Sequence, residues 1–144
     1  MRNALTALLL VFAATAAAAA DEQAWLADET GPALFRRFCA ACHGMDGTGD
    51  GPVAPSLGVL IPDLTGLSAR FGGKFPEDRV REIIDGRAVL PAHGTRPMPV
   101  WGYEFEAELG ANEKARAAAQ AVIDRLADFL RVIQRTTPAV RQLD

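Results

Sequence analysis

The residues best able to do chemistry stand together in Cys39-Ala40-Ala41-Cys42-His43, which holds both cysteines and one of the two histidines. A disulfide closing so short a loop would constrain little of the unfolded chain. A thioredoxin-like dithiol needs a strand before it in a βαβ unit, whereas Leu34, Phe35 and Phe38 upstream have helical spacing. A zinc site lacks ligands, because His93 is the only other histidine and no second Cys/His pair exists. Covalent haem attachment uses all three residues. Two thiols separated by two residues can each form a thioether with a haem vinyl group, and the following histidine then lies beneath the iron.

A haem held in this way has His43 on one face and requires a ligand or an opening on the other. Met45 is too near His43 in sequence to cross the haem plane. Met98 lies far along the chain between Pro97 and Pro99, a stiff setting that reduces the entropy lost in forming a weak iron–thioether bond. A methionine that merely fills a core normally sits on a helix face. The sequence therefore favours Met98, with His/Met ligation as the expected arrangement. His93 is the rival ligand, and its plain alternative is a solvent-facing loop histidine.

These residues must be placed by helices and loops. A first helix is expected after Thr30, with Pro32 in its first turn, running to the cysteine pair. Gly44 to Pro52 is a turn-rich loop. It mimics a calcium loop at Asp46, Thr48 and Asp50, but Leu57 stands where a bidentate glutamate is required. A short helix is expected over Leu64 to Phe71 with Thr65 as its cap, and another over Pro76 to Asp85 with Val80, Ile83 and Ile84 inward. Residues 87–103 read as a proline-punctuated loop. The strongest signal follows: Asn112 caps a helix whose Val122, Leu126, Phe129, Leu130 and Ile133 recur at helical spacing, with Pro138 ending it. No segment alternates like a strand. The fold class is all-α, three to five helices with long loops, and such loops suit a domain whose core includes a large apolar plate.

Composition narrows the context. Met1 to Ala20 has one charge, Arg2, then an apolar run and a stretch rich in alanine, the pattern of a cleavable signal peptide. Residues 21–144 then form one domain, with 136–144 as a loose tail. Acids outnumber bases by 18 to 15, which argues against nucleic-acid binding. No membrane span is expected in the mature chain, and the expected location is the periplasm.

From about Thr30 to Ile133 the chain resembles the class I cytochrome c family. The resemblance rests on Cys39-Ala-Ala-Cys42-His43-Gly44, the glycine-rich loop, Pro55-Ser56-Leu57, Met98-Pro99-Val100-Trp101-Gly102 and the terminal amphipathic helix. It implies a cytochrome c fold wrapped around one haem c, bound through Cys39 and Cys42, with His43 and Met98 on the iron. It further implies that the Pro55 carbonyl accepts a hydrogen bond from His43, and that Leu57 packs on the haem. Phe35 or Phe38 should meet Phe129, and Trp101 and Arg96 are candidates to bond the haem propionates. The chain has only Lys74 and Lys114 as lysines, so a lysine-rich docking face is not implied.

The function expected is one-electron transfer between redox partners such as a dehydrogenase, an oxidase or a respiratory complex, with no catalysis of its own. Glu104, Glu106 and Glu108 either steer a basic partner or form an ordinary solvated face. The alternatives are a haem enzyme or gas sensor with an open iron, a fixed subunit of a dehydrogenase complex, and a thiol–disulfide oxidoreductase.

Overall fold

The computed structural model describes residues 25–87 and 98–135; the expected signal peptide, His93, Arg96, Pro97 and the expected tail lie outside them. Among the described residues the chain is all-α. Its principal helices are α1 (Gly31–Phe38), α4 (Glu77–Asp85), α5 (Trp101–Glu108) and α6 (Glu113–Val132), with one-turn helices α2 (Ala40–His43) and α3 (Leu67–Arg70) between them. Residues 25–28 are also helical. No described strand is present, and no described helix is long and apolar enough to cross a membrane.

Helix α6 forms as its sequence dictates. The Asn112 side chain accepts from the Ala115 amide, Glu113 occupies the first turn and Arg131 the last, so both ends are complemented. One stripe, from Ala115 and Ala119 through Val122, Ile123, Leu126 and Ala127 to Leu130, is buried. Helices α1, α4 and α5 all pack against it.

The α1–α6 crossing is close because Gly31 has no side chain. A Cβ placed there would lie 2.5 Å from the Arg125 carbonyl oxygen and 3.0 Å from Phe129 Cβ. One turn on, Phe35 meets Phe129 with ring centroids 5.2 Å apart. Phe38 takes a different course and joins Trp25, Trp101 and Phe105 in an aromatic cluster.

Three expectations need correction. Asp63, not Thr65, caps the turn before α3: its carboxylate accepts from the Thr65 amide, and Leu64–Gly66 is a 3-10 turn rather than α-helix. On α4, Val80 and Ile84 are buried, but Ile83 is 38% exposed and lies on the outer flank. Residues 101–103 open helix α5 instead of closing a loop. Its apolar positions are few and interleaved with Glu104, Glu106 and Glu108, which hid its period.

The Gly31 contact generates a direct test. Gly31→Ala is expected to lower the unfolding free energy of the protein by about 1–3 kcal/mol, the usual cost of overpacking a tight contact. Chemical denaturation checks it, and an unchanged midpoint would mean that the helices part without cost.

Candidate functional site

Helix α1 ends at Phe38 because Cys39 turns away at φ −115°, ψ −36°, and α2 restarts at Ala40. Gly44, at φ 77°, then ends α2. This break places Cys39, Cys42 and His43 on a single turn, with the His43 amide bonded to the Cys39 carbonyl at 2.9 Å. The two cysteines are not joined. Burial, and secondarily Cys42, push the Cys39 thiol up to about 12. A thiol so high is the reverse of an activated thiolate. The described residues contain no group of three His, Cys, Asp or Glu able to hold a metal ion, and no strand leads into the pair. Dithiol exchange does not suit so buried a thiol.

His43 is positioned by its ring. Its Nδ1–H donates to the Pro62 carbonyl at 3.4 Å, the long end of the hydrogen-bonding range, which leaves Nε2 as the free donor atom. Burial lowers its pKa from the ordinary histidine value, against the opposing pull of the Pro62 bond, which favours the neutral ring. A neutral imidazole with a fixed tautomer is what an iron ligand requires. The expected partner, Pro55, instead lies exposed in a 3-10 turn, Ala54–Ser56. Prolines recur at 52, 55 and 62, and spacing alone does not tell which carbonyl returns to the ring.

The glycine-rich loop brings the Pro62 segment back. Leu64 N donates to the Gly47 carbonyl at 2.7 Å, and Gly49 lies so close to Ile61 that a Cβ would be 2.5 Å from its carbonyl oxygen. Four exposed large apolar side chains follow the cysteine pair: Met45, Val53, Val59 and Leu60, the last 96% exposed. Exposed apolar side chains of this kind are available to a bound apolar cofactor. Two free thiols and a histidine with Nε2 unengaged, all on one turn, fit a haem joined at Cys39 and Cys42.

Met98 is half-buried and packs against the core at the approach to α5. Trp101 stacks on Phe105, centroids 5.4 Å apart, and meets Phe38 edge-on. Leu57 is half-buried, but it is Leu64 and Leu67 that pack on the core. The expected acidic stretch is not uniform. Glu106 is 15% exposed and accepts from Arg87 at 2.7 Å and Arg116 at 3.2 Å, leaving Glu104 and Glu108 as the exposed members.

An all-α domain whose first helix delivers two thiols and a histidine, and whose last helix backs it, defines a haem-attachment protein of the small cytochrome type. The chain belongs to the cytochrome c family, whose profile matches residues 29–131. Family membership carries the expectation of covalently bound haem and of electron transfer rather than catalysis. Searches of curated proteins and of solved structures returned no match.

Sequence reasoning missed Pro62, Asp63 and Gln134. An Asx-turn signature at Asp63-Leu64-Thr65 was available for the second of these. The Thr65 hydroxyl, donating at 2.6 Å, leads the contacts that hold the Asp63 carboxyl below its ordinary 3.8; the Thr65 amide, Arg135 and Arg70 add to it. Because the folded pKa is depressed, the resulting stability is full above the unfolded value and is lost as pH falls through the folded one. Asp63→Asn is expected to be less stable than the parent by a constant margin above roughly pH 5, and the margin should close on acidification. Denaturation curves between pH 5 and pH 3 measure it; a margin independent of pH would show that the carboxylate charge contributes nothing.

Proposed function

We propose that this chain is a periplasmic carrier of single electrons, with one haem c attached through Cys39 and Cys42 and ligated by His43 and Met98. The observation that supports it most directly is the His43 ring, held through Nδ1 by the Pro62 carbonyl, on the same turn as two unpaired cysteines. When bound, the haem supplies an iron that cycles between ferric and ferrous states.

The protein's own residues do the rest. Cys39 and Cys42 tether the macrocycle, so the redox centre cannot dissociate between partners. His43, oriented through Nδ1, would offer Nε2 to the iron, and Met98, at the foot of α5, would offer its thioether. An iron held by both would change little in structure on electron transfer and would leave no open site for substrate. Residues 1–20 serve as the signal peptide that delivers residues 21–144 to the periplasm. Partners would meet the haem edge through a small, transient interface. A dehydrogenase, oxidase or respiratory complex is the class of partner this chemistry serves.

The test is an optical spectrum of protein matured in a periplasm that contains haem-attachment machinery. A low-spin c-type spectrum with a weak ferric iron–sulfur charge-transfer band is expected. Met98→Ala should abolish that band, turn the iron high-spin and admit carbon monoxide to the ferrous form. Changing both Cys39 and Cys42 to serine should leave no covalent haem. A high-spin parent that binds carbon monoxide would overturn the carrier reading in favour of an open-iron enzyme or sensor.

A further inference from the structure

A carbonyl in a loop holds a histidine ring only if the loop itself is held. Residues 61–63, which supply the Pro62 carbonyl, belong to no helix. The glycine-rich loop closes one side of this segment, through Leu64 N to Gly47 and the close approach of Gly49 to Ile61. The other side is closed from the far end of the chain. The Gln134 amide uses both of its ends: Oε1 accepts from the Ser68 amide at 2.8 Å, and Nε2 donates to the Leu64 carbonyl at 2.8 Å. The same Nε2 donates at 2.7 Å to the Leu130 carbonyl, in the last turn of α6. Next to it, Arg135 N donates to the Thr65 carbonyl at 2.9 Å, and Arg70 Nη2 donates to the Asp63 carbonyl at 2.6 Å. Three successive carbonyls after Pro62 are thus each fixed by a donor.

We propose that Gln134 is a positioning residue for the haem iron: by tying the end of α6 to the Leu64–Ser68 turn it fixes the Pro62 carbonyl against His43 Nδ1 and so sets the donor strength of the imidazole. This rests on the reading of His43 as axial ligand. A firm Nδ1–H···O bond makes the imidazole a stronger donor, which favours ferric iron. A loosened one favours ferrous iron. If Gln134 were only a helix cap, its loss would lower stability and leave the iron unaffected.

The experiment compares the haem-loaded parent with Gln134→Leu and with Val122→Ala, a core change on α6 remote from the turn. The readouts are the solvent exchange of the His43 Nδ1 proton by NMR and the ferrous-to-ferric ratio at a fixed mediator potential. Gln134→Leu is expected to speed the exchange and raise the ratio severalfold, since outer hydrogen-bond partners tune the ligand and the metal. Val122→Ala should lose stability without moving either readout. If Gln134→Leu fails to mature, Gln134→Glu keeps the acceptor for Ser68 and removes the donor to Leu64, and the same directions are expected. An unmoved ratio and exchange in the Gln134 variants, or an equal shift in Val122→Ala, overturns the proposal. His43 ring protons without a paramagnetic shift in the ferric parent would overturn the ligand assignment itself, a result read on the parent alone.

Discussion

The approach of α1 to α6 at Gly31 is the constraint from which the site hangs. With no Cβ at that point, the Arg125 carbonyl comes near enough for Phe35 and Phe129 to interlock one turn further along. The direction of α1 is thereby set, and its end delivers Cys39 to the break that begins α2. The same crossing sets where α6 ends. Gln134 and Arg135 follow that end and reach back to the turn around Leu64 and Thr65. The ring of His43 and the carbonyl it meets are therefore carried by two helices whose relation is fixed at one small residue. A loosening there would be felt on both sides of the hydrogen bond.

Burial at the cysteine pair decides among chemistries that spacing leaves open. A thiol pushed far above neutrality is a poor nucleophile toward disulfides, and it gains nothing from a dithiol role in this turn. Burial likewise disfavours the charged form of His43, and the neutral ring keeps a lone pair for a metal. Two opposite shifts, upward for the acid Cys39 and downward for the base His43, share a leading cause: the charged form of each is costly to bury. Surroundings that are unfavourable for redox thiols and favourable for a neutral ligand are consistent with haem attachment.

Much of this arrangement is legible in the sequence where signals are local. The helix from Asn112, the end of α4 at Gly86 and the helical run into the cysteines all follow from caps, glycines and 3.6-residue spacing. The family resemblance implies that Phe35 or Phe38 meets Phe129, and the structure selects Phe35. What spacing does not carry is the long-range return of the chain. Choosing Pro62 over Pro55 requires the course of the loop between them, which the contacts of Gly47 and Gly49 determine. Helix α5 was hidden because only Gly102 and Phe105 are buried along it, too few to display a period. Gln134 reads as an ordinary polar residue until the turn it clasps is in place.

Charge shows the same division between count and arrangement. Arg87 bonds Asp85 and Glu106 at 2.7 Å each, and Arg116 completes the set on Glu106. Two cations and two anions from the end of α4, from α5 and from α6 thus neutralise one another in a partly buried cluster. Gly102 makes room for it, since a Cβ there would collide with the Asp85 carboxylate. Such a cluster fastens three helices together near the foot of α5, where Met98 enters. It adds little to the field that a distant partner would feel, because opposite charges at contact distance cancel beyond a few ångströms. Glu106 therefore belongs to the architecture, and only Glu104 and Glu108 remain on the exposed face of α5 to act on a partner.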